Sequence, residues 1–174
     1  MCSLTEHRGK SMQRLFLLFV LILPATSSLA DDPASADGAA ETHVVMYKSP
    51  TCGCCEKWAD HLRAHGFTVD SRPTDLMESI KDERGVPVNL RSCHTAEVAG
   101  YVVEGHVPAD DILRLLRERP DNLRVLTVPG MPLGSPGMEH PRPQDFITIA
   151  VQDDGKAAIY AEHAAGEDFS PADR

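Results

Sequence analysis

Val44-Val45-Met46-Tyr47-Lys48-Ser49-Pro50-Thr51-Cys52-Gly53-Cys54-Cys55-Glu56-Lys57-Trp58 runs from four consecutive apolar residues, through a proline turn, into three cysteines. Unbroken apolar runs of this length, bounded by a turn signal, read as a short strand buried on both faces, here His43 to Lys48. From Cys55 the apolar positions Trp58, Ala59 and Leu62 follow at helical intervals, and Gly66 stands where a left-handed residue would end the helix. The cysteines therefore lie at a strand-to-helix turn.

Working outward, Phe67 to Val69 predicts a second brief strand, and Asp75 with Glu78 three residues on has the form of a capping box for a helix reaching about Arg84. Leu90 to Ala99 shows no clear period, so Cys93 and His94 are expected in a loop or irregular turn. Tyr101 to Val103 reads as extended. Pro108 opens a helix with Asp110 and Asp111 in its first turn, Arg114, Arg117 and Arg119 toward its end, and an apolar face of Ile112, Leu115 and Leu116. Val128 to Pro143 holds five prolines and three glycines, which excludes helix and strand. Phe146 to Val151 and Ala157 to Tyr160 flank Asp153-Asp154-Gly155 and predict a closing β-hairpin. That order of elements is α/β, with no internal repeat.

The ends read differently. Arg8, Lys10 and Arg14 precede the nine-residue apolar run Leu15 to Leu23, and Ser28-Leu29-Ala30 has the small-residue form of a cleavage site. Residues 1–30 are expected to be a secretory signal peptide, because a spanning helix needs about 20 apolar residues. Residues 31–42 have no large apolar side chain and predict a flexible leader. Residues 43–163 form the domain, and residues 164–174 a polar, frayed tail.

Removing the first 30 of 174 residues leaves 144. It takes away three basic and one acidic side chain, so the net charge moves from −9 to −11. Such a charge argues against a nucleic-acid partner, and a chain of this length builds one core without a framework of disulfides. The four cysteines that remain, Cys52, Cys54, Cys55 and Cys93, then need another explanation. In an oxidising compartment idle thiols do not persist, so the cluster is bridged, metallated or kept reduced by a partner.

Cys52 and Cys55 form a Cys-x-x-Cys pair at a helix start, where one turn brings the sulfurs within bridging distance and the helix N-terminus stabilises a thiolate. They are the catalytic candidates if the site is redox active. Cys54 complicates a simple dithiol switch, since a third thiol can attack a mixed disulfide. Three thiolates on one turn suit a soft metal better: Cu(I), zinc or an iron–sulfur cluster. Zinc would normally want a second cysteine pair, which the sequence lacks. Cys93 and His94 are candidate ligands from a separate segment, with Met131, Met138 and His106 as weaker ones. His61 and His65, four apart on the first helix, read as a solvent-facing pair rather than ligands.

Tyr47-Lys48-Ser49-Pro50-Thr51-Cys52-Gly53-Cys54-Cys55 with Trp58, Arg91-Ser92-Cys93-His94-Thr95-Ala96, Tyr101 to Pro108 and Gly130 to Glu139 together resemble the bacterial CopG-like family, long described as a domain of unknown function. The likeness spans about Val44 to Tyr160. It implies a thioredoxin-like fold with a central mixed sheet flanked by helices. It also implies a periplasmic location and copper bound by Cys52, Cys54, Cys55 and Cys93; the soft ligands themselves point to Cu(I), with several ions per chain. The role implied is copper resistance or copper redox handling. Metal ions and a periplasmic copper-handling or redox protein are the expected partners, with no membrane association once the leader is removed. In a thioredoxin-like frame Pro132 is the candidate cis-proline. A thiol–disulfide oxidoreductase without a metal cluster is the alternative, although neither Cys54 nor Cys93 is needed for dithiol exchange. Two purely structural bridges are the weakest reading.

Overall fold

Valines and other branched residues concentrate in short runs separated by Gly, Pro and Asp turns, and these runs assemble into one seven-stranded sheet. The structure is a computed structural model, and it describes residues 42–171. The strands are β1 (His43–Lys48), β2 (Thr68–Pro73), β3 (His94–Val98), β4 (Tyr101–Glu104), β5 (Leu123–Thr127), β6 (Phe146–Gln152) and β7 (Ala157–His163). Among the described residues three α-helices accompany them: α1 (Gly53–Ala64), α2 (Met77–Glu83) and α3 (Ala109–Glu118). The sheet order is β2-β1-β3-β4-β5-β6-β7. β1 runs parallel to β2 and β4 parallel to β5, while the remaining neighbours are antiparallel, so the sheet is mixed and the fold is α/β. This order does not conflict with a thioredoxin-like frame.

The apolar stripe of α1, Cys55, Trp58, Ala59 and Leu62, is buried as its spacing requires, and Gly66 takes the left-handed conformation (φ 89°) that stops the helix. Ile112, Leu115 and Leu116 of α3 join Val44, Met46, Val98, Val103 and Leu126 of the sheet in the same core. Asp153-Asp154-Gly155 closes the β6–β7 hairpin as expected.

Several boundaries differ from the sequence reading. The capping box at Asp75 does not form: α2 starts at Met77 with no side-chain cap bond, and the Leu76 amide donates to Thr74 Oγ1 at 3.1 Å instead. β3 and β5 were hidden. In β3 the buried positions include His94 and Thr95, polar residues with no apolar alternation to report them, and β5 is only five residues long. His65 is buried rather than solvent-facing; its Nδ1 lies 2.8 Å from the His61 carbonyl, and the two rings pack 4.3 Å apart. The tail also departs from the expected fraying as far as residue 171, because Phe169 packs 5.8 Å from Phe146 and 5.4 Å from His163. The expected signal peptide and almost all of the leader lie outside the described residues.

Candidate metal centre

The end of β1 delivers the chain to Ser49-Pro50-Thr51, where the Cys52 amide donates to the Ser49 carbonyl at 3.0 Å and closes a turn. Cys52 is the N-cap residue of α1, so Cys54 and Cys55 lie in the first helical turn. Cys52 and Cys55, with Cα atoms 5.5 Å apart, form a disulfide, while Cys54 and Cys93 are free thiols. Cys54 Sγ lies 3.5 Å from Cys52 Sγ, and Cys93 Sγ lies 3.5 Å from Cys55 Sγ. Each half of the bridge thus has a free thiol in van der Waals contact. Lys48, buried at the end of β1, points its ammonium at Glu56 (3.3 Å) and toward the carbonyls of Ser49 and Cys52.

Cys93 reaches the cluster through the β3–β4 hairpin. Ala99 and Gly100 both have positive φ, 47° and 89°, which is the backbone of a two-residue primed turn. That turn pairs Val98 with Tyr101 and Thr95 with Glu104. Beyond the strand ends, the Gly105 amide donates to the His94 carbonyl at 3.0 Å, and Cys93 Sγ faces His106 Nε2 at 3.1 Å. His94 Nδ1 approaches the same sulfur at 3.3 Å.

Among the described residues two candidate donor sets result, each with its ligand atoms within 4.8 Å of one another: Cys52, Cys54, Cys55 and Cys93, and Cys93, His94 and His106. Cys93 belongs to both. His106 is completely buried, and its Nδ1 donates to the Pro136 carbonyl at 2.7 Å, which leaves Nε2 as the bare nitrogen facing sulfur. Burial lowers the pKa of His106 and, with His106 and Lys81 close by, that of His94. Both imidazoles are therefore neutral and able to ligate at neutral pH. The Cys93 thiol is pushed up to about 12, chiefly by burial and then by Cys54, so a metal must displace a proton to bind there. His94 Nε2 is a buried nitrogen with no hydrogen-bond partner among the described residues. The His94 ring packs 4.4 Å from Trp58, whose indole N–H donates to the Val107 carbonyl at 2.8 Å.

The Gly/Pro-rich loop is ordered against this site. Gly137 has φ 83°, and a Cβ there would meet the Trp58 amide nitrogen at 2.7 Å and the Cys54 carbonyl at 2.8 Å. Only glycine lets the loop come that close to α1. Ser92 and Gly130 form an isolated parallel bridge, which sets Met131 beside the Cys93 segment, and Met138 follows Gly137 at the helix. Met131 is 53% exposed and Met138 half-buried. The five principal candidates, Cys52, Cys54, Cys55, Cys93 and His94, converge, and His106 joins them more closely than its sequence context suggested. What the sequence reading missed is the support: Lys48, Lys81, Glu104, the Pro136 carbonyl and the Trp58 brace. Lys81 and Glu104 were invisible because their partners lie far away in the chain. His61, whose Nε2 accepts from the Ala109 amide at 3.0 Å, has its pKa lowered to about 4, first by burial and then by His65.

A mixed α/β sheet that presents four clustered sulfurs and two buried imidazoles is a scaffold whose donors fit a soft metal. Residues 90–138 match the family described as protein of unknown function, DUF411. Two solved structures of copper resistance protein CopG are similar. Form 2 is 40% identical with a TM-score of 0.67, over 70% of this chain and 97% of that one. Form 1 is 39% identical with a TM-score of 0.68, over 72% and 99%. No curated protein matches the chain. The chain belongs to the CopG-like, copper-related family. Among the described residues, no helix is long and apolar enough to cross a membrane.

Proposed function

We propose that this is a periplasmic copper-binding protein that, once the Cys52–Cys55 bridge is reduced to two thiols, holds more than one Cu(I) in the Cys52, Cys54, Cys55, Cys93 cluster, with His94 and His106 as nitrogen ligands, and serves copper resistance or copper redox handling. The observation that carries the reading is the shared position of Cys93 between a four-sulfur set and a mixed sulfur–imidazole set. Sulfur and neutral imidazole are the donors that soft Cu(I) selects, and the relatives named for copper resistance agree in kind. Periplasmic export rests on the basic, apolar, small-residue pattern of residues 1–30, with cleavage before Asp31. A thioredoxin-like frame is supported by the parallel β1–α1–β2 unit followed by the antiparallel β3–β4 pair and α3.

The Cys52–Cys55 bridge favours a redox role in addition to storage. In that role two Cu(II) ions take one electron each from the two thiols, which lose two protons and form the disulfide. A periplasmic dithiol donor then returns the pair to the reduced state by exchange. The same bridge also favours the second reading, a thiol–disulfide oxidoreductase without metal. Metal analysis of anaerobically purified mature protein, with a thiol count alongside, separates them. More than one Cu(I) per chain, retained against a copper chelator, is expected. Equimolar zinc that survives a Cu(I) competitor, or disulfide exchange with no copper uptake, overturns the copper reading. N-terminal sequencing of the exported form should begin at Asp31, and a membrane-bound form beginning at Met1 overturns the cleavage reading and makes the segment an anchor.

A further inference from the structure

We propose that the buried Lys81–Glu104 pair is a positioning device, which fixes the Ser92-Cys93-His94 segment against His106 before any metal arrives. The inference rests on the copper reading of the site. Lys81 and Glu104 are 2% and 0% exposed, and Lys81 Nζ lies 2.6 Å from Glu104 Oε1 and 3.0 Å from Thr95 Oγ1. Glu104 Oε1 also accepts from the Ser92 amide at 2.6 Å, and Oε2 accepts from the Thr95 hydroxyl at 2.7 Å. One carboxylate thus gathers donors from α2, from β3 and from the backbone just ahead of Cys93.

Stability alone is a poor reason to bury such a pair, because well-packed apolar residues in its place are often as stable or more so. What the pair supplies is direction. Pairing of β3 begins at His94 with β1 and at Thr95 with β4, so the Ser92 amide lies beyond the strand end, and the Glu104 carboxylate serves as its acceptor. The Ser92 hydroxyl donates in turn to the Gly130 carbonyl, which ties the same segment to the loop that carries Met131. On the other side of Cys93, the His94 carbonyl accepts from Gly105. Gly105 has φ 73°, and any Cβ there would run into the Ser92 side chain and the Val128 carbonyl. Glu104, Gly105 and His106 are consecutive, so the group that anchors Ser92 also sets the root of the His106 side chain. Cys93 is held from both flanks, and the 3.1 Å approach of its sulfur to His106 Nε2 follows from that double hold. Supports of this kind, one step removed from the ligands, typically govern metal affinity by about 10- to 100-fold.

The test compares full mature protein with two double variants. Lys81→Met/Glu104→Met removes both charges and the acceptor; Lys81→Met/Glu104→Gln removes both charges but keeps a side-chain oxygen for the Ser92 amide. Melting temperature and hydrogen exchange at Ser92 are read on metal-free protein, and Cu(I) affinity by competition. The methionine pair should remain folded, exchange at Ser92 about tenfold faster or more, and bind Cu(I) about tenfold more weakly or worse. The glutamine variant should recover most of both losses. Wild-type Cu(I) affinity and wild-type Ser92 exchange in the methionine pair overturn the positioning role. So does a Ser92 amide that already exchanges freely in the wild type, a result that stands even if a variant fails to fold. Absence of Cu(I) uptake by the wild type is a different outcome, because it overturns the copper reading itself.

Discussion

The histidines of the β3–β4 end and the histidine that closes β7 are all buried, yet their surroundings give them opposite characters. His94 and His106 face sulfur and one another, 5.1 Å between ring centroids, and burial keeps them neutral. His163 faces carboxylates on both sides: Nε2 lies 2.9 Å from Asp111 Oδ2, and Nδ1 lies 3.1 Å from Glu167 Oε2. An imidazole can donate from both nitrogens only when protonated. Burial works to lower the His163 pKa, but the bonds and charge of Asp111, followed by Glu167, raise it overall. The first environment suits a metal ligand and the second favours the protonated ring, which holds the tail through Glu167 with Phe169 against it. Burial of a histidine therefore says little about its role until its two nitrogens have been followed to their partners.

The largest expected separation between the two regions is in copper binding. Cys93→Ser removes the one sulfur common to both donor sets, and Cu(I) affinity should fall on the order of a hundredfold, about 2.7 kcal/mol, with lower stoichiometry. His163→Gln should leave copper titration unchanged within about twofold, which is below 0.5 kcal/mol. Circular dichroism checks that both variants fold. Copper binding by folded Cys93→Ser equal to that of the wild type would remove Cys93 from the site and leave the three-cysteine turn to act alone.

Backbone strain sharpens the contrast next. Gly137 and Gly155 have similar φ, 83° and 81°, but a Cβ at Gly137 meets α1 backbone, whereas at Gly155 nothing lies within 4 Å. Gly137→Ala should cost roughly 3 kcal/mol, combining left-handed strain with the clash, and should weaken copper binding because Pro136 next door orients His106. Gly155→Ala should cost only about 1 kcal/mol, the left-handed penalty by itself. Equal losses in chemical denaturation would mean that the loop does not press on the helix.

The smallest effect is the pH response of the tail. Because the folded-state pKa of His163 is raised, its stabilisation is fully present below the unfolded value of about 6.5 and is lost as pH rises through the higher folded value. Glu167 is half-exposed, so the loss should be about 1 kcal/mol, seen as a fall of roughly 4 °C in melting temperature. His163→Gln should abolish that fall. Copper binding should move the other way, strengthening with pH, since the Cys93 proton must leave.

Sequence pattern made much of the frame legible. The apolar run of β1, the stripe on α1, the dipole-matched charges of α3 and the Asp-Gly hairpin turn each carry a local signal, and each formed. The convergence of Cys93 with His106 was also written in the chain, though faintly. Each stands six residues from the Ala99-Gly100 turn, so a two-residue hairpin must set them opposite. Reading that turn would have raised His106 and revealed β3. No local pattern could disclose Lys81 with Glu104, or Pro136 with His106, because these partners are 23 and 30 residues apart and meet only through the fold. The Phe169 contact was hidden by the polarity of its neighbours.

Cys93 has a sulfur cluster on one side and two imidazoles on the other, and under the proposed copper reading it would make those donor sets a single thermodynamic unit. Whatever free energy an occupant of one set exerts through that sulfur is returned in equal measure to an occupant of the other. Filling would then be a linked sequence of events, and an isotherm from this protein would not decompose into independent sites.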